Sequence, residues 1–272
     1  MNNLATRSVT AIVFVIVMVG SMLLGQLATA LLFLLLTILT LDEFLKLALK
    51  TGAEPNRILT IVTGALTYSL ISLFGLIPLD ARWLTFIFPL LMLPIIAELF
   101  RSKKNPFTNL AWMILSVVYI AVPFALLTHY FDSTGVNWKE HSGAILGFFV
   151  ILWLNDTGAY FVGSLIGKHR LFERISPKKS WEGSIGGGII ALLTAYGISF
   201  IFPQYAAWQW IVLAFIIMVT GTLGDLVESM FKRSIGIKDS GNILPGHGGL
   251  LDRFDAVFVA SPFVYVFLTY LN

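Results

Sequence analysis

Residues 143–166 of the chain read GAILGFFVILWLNDTGAYFVGSLI, and this stretch decides the class of fold. An α-helix needs about 20 consecutive apolar residues to cross the hydrocarbon core of a bilayer. The stretch is longer than that and contains one charged side chain, Asp156. It therefore predicts a membrane-spanning helix. An acid near the centre of such a helix costs roughly 2.5–3.5 kcal/mol on insertion scales, so Asp156 needs a partner or a function.

The composition of the whole chain agrees with a membrane protein. Of its 272 residues, 57% are apolar and 12% are charged, with a mean hydropathy of +0.85, whereas soluble domains contain about 25% charged residues. These values exclude a water-soluble globule, a disordered chain, a nucleic-acid-binding module and a secreted mini-protein. The chain has no cysteine, which excludes disulfides, thiolate chemistry and cysteine-ligated metals. Any metal must take oxygen or imidazole ligands.

Charges, prolines and glycines divide the chain into apolar runs of membrane-spanning length. The first run is too long for one crossing, and Gly20, Ser21, Gly25 and Gln26 mark its middle as the point of reversal. We therefore predict an all-α integral membrane protein, a polytopic bundle of about nine transmembrane helices. The runs are residues 9–41 (two helices), 58–77, 83–100, 107–128, 143–166, 184–202, 208–230 and 250–271.

Lysine and arginine predict the orientation, because they collect in cytoplasmic loops. With a cytoplasmic N-terminus, nine crossings leave only Arg82 and Lys139, of the 18 basic residues, on the outer side together with the C-terminus. We expect a protein of the cytoplasmic (inner) membrane whose active site faces the cytoplasm. Residues 1–142 form about five helices, a scaffold and lipid-facing part, and residues 143–272 form about four helices and the catalytic site.

Several carboxylates lie at or inside these runs, near their predicted cytoplasmic ends. Two groups have helical spacing: Asp225 with Glu228 and Ser229, and Asp252 with Asp255, which places each group on one helix face. Carboxylate oxygens, water and substrate phosphate are the ligands that magnesium prefers. The alternative is that each acid pairs with a nearby base in a structural ion pair; the pairs that the sequence offers are Asp252 with Arg253 and Glu228 with Lys232.

Two basic loops are predicted to face the cytoplasm. The loop at residues 232–249 combines basic residues with glycines that allow close approach of the backbone to an anion, and it ends where a helix N-terminus could accept a phosphate. The loop at residues 167–183 carries five basic residues and could bind a nucleotide or a lipid head group. The alternative for residues 232–249 is a flexible basic loop. The alternative for residues 167–183 is a topology signal, with Ser180 or Glu182 capping the next helix. Residues 186–188 are glycines, which predict close helix packing.

Three blocks of the sequence resemble the phosphatidate cytidylyltransferases, or CDP-diacylglycerol synthases. The longest runs from SMFKR at residues 229–233, through Lys238-Asp239, to LPGHGGLLDRFD at residues 244–255. NDTGAY at residues 155–160 and SPKKSWEG at residues 176–183 are the other two. The first 140 residues resemble the family only as apolar helices.

The resemblance implies transfer of a cytidylyl group from CTP to phosphatidate, with Mg²⁺ as cofactor, and it allows a second, monovalent cation such as K⁺. CTP, phosphatidate and membrane lipids are the implied partners, and a homodimer is compatible with the family. The best metal ligands are Asp225 and Asp252, and the further carboxylates are Asp156, Asp239 and Asp255. The implied catalytic residues are Asp225, Asp252, Lys232, Arg233 and His247, and the implied substrate-binding residues are Lys168, Ser176, Lys178, Lys179, Lys238, Gly248, Gly249 and Arg253.

Two other functions fit parts of the pattern. A CTP-dependent polyprenol or phytol kinase shares the polytopic form and the nucleotide, but it transfers the γ-phosphoryl group to an alcohol. An ion-coupled membrane transporter also contains intramembrane acids and helices interrupted by glycine. A transporter would place its acids near the middle of the membrane and show internal symmetry, whereas here the charges collect at one predicted face and no repeat is visible.

Overall fold

The computed structural model describes residues 3–132, 137–241, 243, 244, 246 and 248–271, and these residues are almost entirely helical. The all-α membrane fold predicted from the sequence is confirmed. The helices are α1 (Asn3–Leu24), α2 (Gln26–Leu49), α3 (Arg57–Leu76), α4 (Ile87–Leu99), α5 (Pro106–Ser116), α6 (Val122–Leu126), α7 (Trp138–Ile166), α8 (Trp181–Ile201), α9 (Ala207–Ser234) and α10 (Leu251–Thr269).

Shorter elements complete or connect these helices. A 3₁₀ turn, Ala81–Phe86, leads into α4, and a π-helical turn, Val117–Ala121, joins α5 to α6. A second 3₁₀ turn, Leu127–Tyr130, follows α6. Pro123 at the start of α6 has no backbone N–H to donate, which accounts for the irregular hydrogen bonding of the preceding turn. The predicted crossing at residues 107–128 is therefore one helical rod with a π-turn inside it.

The predicted break in the first apolar run lies at Gly25. This residue separates α1 from α2 and has a φ of 110°, which is a backbone conformation that favours glycine. Within the described residues, seven helical segments are long and apolar enough to span a membrane, and Ser8–Leu24 is a shorter apolar helix. The count of nine crossings and their orientation stay predictions.

The chain divides into two compact units, which we call unit 1 and unit 2. Unit 1 contains the residues up to His129 together with Ile237–Phe254, and unit 2 contains Tyr130–Gly236 together with the residues from Asp255 onward. The proposed division at residue 142 stays a prediction. In unit 1, the side chain of Gln26 donates to the backbone oxygens of Gly75 (2.5 Å) and Thr128 (2.7 Å) and so ties the start of α2 to two other segments.

Unit 2 depends on close approach between α7 and α8. A Cβ atom at Gly187 would lie 2.5 Å from the carbonyl oxygen of Asn155, and one at Gly158 would lie 3.3 Å from the Cα of Gly187. Side chains at these positions would therefore push the two helices apart. The close packing predicted from the three consecutive glycines is confirmed.

The loop at residues 167–183, which the sequence predicted only as a basic loop, contains regular secondary structure. It forms a hairpin of two antiparallel strands, β1 (Arg170–Phe172) and β2 (Ser176–Ser180). At the end of β2, the hydroxyl of Ser180 accepts a hydrogen bond from the N–H of Gly183 and caps α8. The hairpin therefore leads directly into α8, a helix that is long and apolar enough to span a membrane.

Candidate active site

Three of the predicted carboxylates meet in unit 2, each on a different helix. Asp156 lies on α7, Asp225 on α9 and Asp255 on α10, and the three interact electrostatically with one another and with Lys179 of β2. The ammonium group of Lys179 lies 2.5 Å from a carboxylate oxygen of Asp225. We call these four residues the acid cluster.

The acid cluster forms because α9 packs closely on its neighbours around Asp225. A Cβ atom at Gly224 would lie 2.6 Å from the backbone oxygen of Asp255 and 2.9 Å from the Cα of Ala256. One turn earlier, a Cβ at Gly221 would lie 3.0 Å from the side chain of Leu152 on α7. Glycines on α9 thus allow three helices to present their carboxylates to a common region.

On α9, the residues that follow Asp225 lie on one face, as their spacing predicted. The hydroxyl of Ser229 donates to Asp225 at 3.3 Å. Glu228, whose side chain is 1% exposed, forms an ion pair with Lys232 at 2.5 Å, so the structural pairing considered for these two residues is confirmed. Lys232 is therefore engaged within its own helix, whereas Arg233 beside it is exposed.

The hairpin brings only one of its two adjacent lysines to the acid cluster. Successive residues of a strand point to opposite faces. Lys179 contacts Asp225, whereas Lys178 is exposed and Ser176 is half-buried opposite Phe172. The pairing of the strands therefore assigns different environments to two residues that the sequence could not distinguish.

Glu182 holds the first strand of the hairpin in place. Its carboxylate accepts hydrogen bonds from the backbone N–H groups of Lys168 and His169, each at 3.2 Å. It also lies 2.5 Å from the Nδ1 atom of His169. Glu182 thus anchors the entry to the hairpin, while Ser180 supplies the helix cap.

A pocket of about 740 Å³ opens beside the hairpin in unit 2. Lys168 and Arg170 supply basic groups to its wall, and Trp181 and Ile185 of α8 supply apolar surface. Both apolar side chains are more than half exposed, at 55% and 58%. The other lining residues are His169, Glu173 and Glu182. The wall therefore presents basic groups next to exposed apolar surface.

Asp252, the other best metal candidate, lies in unit 1 and is bound to the glycine-rich loop. One of its carboxylate oxygens, Oδ2, accepts hydrogen bonds from the N–H groups of Ser240 (3.0 Å) and Gly249 (2.9 Å) and lies 2.9 Å from the hydroxyl oxygen of Ser240. Gly248 has a φ of 84° and leaves no room for a side chain, because its Cβ would lie 2.7 Å from the same oxygen. Asp252 therefore organises the loop.

The remaining predicted residues of this loop are solvent-facing or outside the described part of the chain. Lys238, Asp239 and Arg253 are exposed. His247 lies outside the described residues.

Sequence reasoning missed Glu43, which lies at the same loop. Its buried carboxylate accepts hydrogen bonds from the N–H groups of Leu250 (2.9 Å) and Leu251 (3.1 Å). These are the N-terminal donors of α10 at which we expected a phosphate. The signal was present, because the apolar pattern of α2 continues beyond Glu43 through the buried residues Phe44 and Leu45. Glu43 is thus an acid inside an apolar helix, like Asp156.

No group of three or more carboxylates or imidazoles among the described residues is spaced to hold a single metal ion. The acid cluster nevertheless has the donor chemistry of a magnesium site, because it places three carboxylates near one ammonium group. Magnesium commonly takes one or two protein carboxylates and completes its shell with water and substrate phosphate. The residues therefore fit the cation that the sequence resemblance implies.

Fold and site together define a polytopic α-helical membrane protein with carboxylates and basic groups gathered near one hairpin. A model of the Cytidylyltransferase family matches residues 5–271. The chain belongs to this family, which confirms the resemblance found in its sequence.

Similar proteins are found among the staphylococci. The chain is 35% identical to a phosphatidate cytidylyltransferase of Staphylococcus saprophyticus, over 96% of this chain and 98% of that protein. It is 34% identical to the phosphatidate cytidylyltransferase of Staphylococcus haemolyticus over the same shares of the two chains. The enzyme of the same name from Staphylococcus aureus is 41% identical over 61% of this chain and 62% of that protein.

Proposed function

We propose that the protein is a phosphatidate cytidylyltransferase that converts CTP and phosphatidate into CDP-diacylglycerol and pyrophosphate. The observation that carries this proposal is the similarity to enzymes of that name along nearly the whole chain. The acid cluster, with Lys179 paired to Asp225, supports it from the structure.

The reaction is an exchange of one phosphoanhydride partner for another. An oxygen of the lipid phosphate attacks the α-phosphorus of CTP, the bond from that phosphorus to the bridging oxygen of the β-phosphate breaks, and pyrophosphate leaves with the electron pair. The attacking phosphate is already anionic, so no strong general base is required. The demand on the protein is to align two polyanions and to offset their charge.

Within unit 2, the acid cluster and Lys179 are suited to these tasks. One or two of the carboxylates of the acid cluster, Asp156, Asp225 and Asp255, would hold Mg²⁺ together with water and substrate phosphate, and the ion would supply charge neutralisation at the phosphates. The ammonium of Lys179 keeps the Asp225 carboxylate in a fixed position and offers hydrogen-bond donors to a phosphate oxygen. A monovalent cation such as K⁺ remains part of the proposal as an accessory ion.

The pocket beside the hairpin is the proposed site for the lipid head group. Lys168 and Arg170 would bind the phosphate of phosphatidate, while Trp181 and Ile185 would contact the first methylene groups of an acyl chain. The pocket combines basic groups with exposed apolar side chains, which suits a lipid head group and the start of its acyl chain. A nucleotide would gain little from contact with an exposed isoleucine.

Isotope transfer tests the reaction and separates it from a lipid kinase. Purified protein in detergent is given phosphatidate, Mg²⁺ and CTP labelled either at the α-phosphate or at the γ-phosphate. Cytidylyl transfer puts only the α-label into the lipid, and a polyprenol or phytol kinase puts only the γ-label into an added alcohol. Label from the γ-position in lipid, with none from the α-position, would refute the proposal.

We further propose nine crossings with the N-terminus and the active site on the cytoplasmic side of the inner membrane. Because the chain has no cysteine, single cysteines report topology without background. Lys104→Cys and Lys139→Cys replace exposed lysines in loops predicted to lie on opposite sides. In intact cells, an impermeant maleimide should label only the cysteine at residue 139. Labelling of both residues, or only of residue 104, would contradict the orientation.

A further inference from the structure

Glu43 is a buried carboxylate that binds the glycine-rich loop, residues 232–249, at Ser240 and directly after its end, at Leu250 and Leu251. Its side chain, 4% exposed, comes from α2, about 200 residues before the loop in the sequence. It contacts the hydroxyl of Ser240 at 2.5 Å on one side of the loop. It accepts from the N–H groups of Leu250 and Leu251 on the other side. One carboxylate thus joins α2, the middle of the loop and the start of α10.

The glycines of the loop leave the space that Glu43 occupies. A Cβ atom at Gly241 would lie 3.0 Å from the carboxyl carbon of Glu43. A Cβ atom at Gly249 would overlap both the Glu43 carboxylate and the Ser240 hydroxyl. The close fit on both sides shows that the carboxylate and the loop are built around each other.

Ser240 links Glu43 to Asp252. Its hydroxyl lies within hydrogen-bond distance of both carboxylates, at 2.5 Å from Glu43 and 2.9 Å from Asp252. The N–H of Gly249 donates to Asp252, and the next two N–H groups donate to Glu43. The N–H of Gly249, which binds Asp252, is thus followed directly by the two N–H groups that Glu43 binds. Glu43 therefore influences the position of the Asp252 carboxylate through the backbone of residues 249–251.

A buried carboxylate is costly unless several donors compensate its charge. Two backbone N–H groups at a helix N-terminus and one hydroxyl meet this requirement. These contacts tie residues 240, 250 and 251 to α2.

We propose that Glu43 is a positioning residue for nucleotidyl transfer, which fixes the glycine-rich loop and through it the carboxylate of Asp252. This proposal rests on the proposed function, because Asp252 and the loop are assigned to the reaction by the resemblance of their sequence to the family. Glu43 itself does not contact substrate in this assignment. It acts by limiting the motion of residues 240 and 249–252.

Glu43→Gln is the principal variant, because glutamine keeps the shape but loses the charge and one acceptor. Glu98→Gln is the matched control. Glu98 is also buried in unit 1, at 3% exposed, and accepts hydrogen bonds from Asn109 (2.7 Å) and Arg101 (2.6 Å), with no contact to the loop. Both variants remove a buried charge, so a difference in exchange or kcat between them measures the effect of the contacts between Glu43 and the loop.

Hydrogen–deuterium exchange of the full-length protein in detergent, without nucleotide, lipid or Mg²⁺, provides a readout independent of activity. Peptides covering residues 240 and 249–252 should exchange at least about tenfold faster in Glu43→Gln than in the wild type, and at wild-type rates in Glu98→Gln. Unchanged exchange in Glu43→Gln would overturn the proposal. The exchange measurement does not require activity. A wild type that fails to transfer the α-label would refute the proposed function, and the exchange rates would still test the role of Glu43 in fixing the loop.

Kinetics then test whether the fixed loop serves catalysis. We expect kcat to fall by about 10- to 100-fold in Glu43→Gln, with a smaller change in the KM for CTP, because misplacement by about 1 Å is costly in the transition state. Ser240→Ala, which removes the hydroxyl between the two carboxylates, should lower kcat in the same direction. Equal kcat losses in Glu43→Gln and Glu98→Gln, or normal kcat in both Glu43→Gln and Ser240→Ala, would overturn the assignment.

Discussion

Replacing Gly224 by alanine tests whether the contact between α9 and α10 holds the acid cluster together. The added Cβ would lie 2.6 Å from the carbonyl oxygen of Asp255, whereas ordinary contacts begin at 3.4 Å. The backbone of α10 must therefore retreat by ~0.8 Å, the difference between these two distances. Because the opposing atoms belong to the main chain, no change of rotamer relieves the overlap.

The expected cost of this overlap is about 1–3 kcal/mol, the usual range for overpacking a closely packed site. Alanine also gains about 1 kcal/mol over glycine in a helix interior, which would hide part of the cost. Gly197→Ala in α8 is the control for this gain, because it makes the same glycine-to-alanine change at a position where no atom lies within 4 Å of the added Cβ. The difference between the two variants then isolates the overlap.

Thermal unfolding in detergent and steady-state kinetics provide the two measurements. Relative to Gly197→Ala, we expect Gly224→Ala to lower the Tm by on the order of 5 °C, scaling from soluble domains. We also expect kcat to fall by about tenfold or more, because Asp255 moves relative to Asp225. Equal Tm and equal kcat in the two variants would show that the contact does not position the carboxylates.

Substitutions at three further residues separate the roles of individual charges. Asp225→Asn should lower kcat by at least about 100-fold while the Tm stays near that of the wild type, since it removes a carboxylate from the acid cluster without emptying space; normal kcat would remove Asp225 from the reaction. Asp252→Asn keeps an acceptor oxygen for the loop, so it should retain slow exchange of residues 249–252 but lose turnover, whereas Asp252→Ala should lose both. Normal turnover in Asp252→Asn would limit Asp252 to a structural role. Lys168→Gln should raise the KM for phosphatidate by about 3- to 10-fold with the KM for CTP unchanged, as judged against Lys104→Gln, and a change in the KM for CTP alone would refute the lipid assignment of the pocket.

The helices were predictable because membrane insertion imposes a simple condition on length and polarity. Every predicted apolar run is helical in the structure, and the break at Gly25 follows from a glycine between two long runs. The pairing of Glu228 with Lys232 was also accessible, since helical spacing places the two side chains together. Local geometry decides each of these features.

The hairpin was not predictable from local pattern. Its strands, RLF and SPKKS, are short and lack the alternation of apolar and polar residues that indicates a strand. Two contacts with the adjoining helix end order the hairpin. Ser180 caps α8, and Glu182 reaches back to the N–H groups of Lys168 and His169. Because these bonds require the helix to be present, the strands form through tertiary contacts.

The charge of an intramembrane acid does not by itself reveal its role, and the number of donors around it is more informative. Oδ2 of Asp252 receives two backbone hydrogen bonds from the glycine-rich loop, Glu43 receives two at the start of α10, and the hydroxyl of Ser240 lies between the two carboxylates. The negative charge of an acid that accepts several backbone hydrogen bonds is compensated by those donors, and the bonds hold the donating loop in place. In the acid cluster, by contrast, three carboxylates interact with one another near a single ammonium group, Lys179. Mutual repulsion between like charges favours a cation at such a place, so we propose the acid cluster of unit 2, rather than the Glu43–Ser240–Asp252 contact of unit 1, as the place where a divalent ion binds.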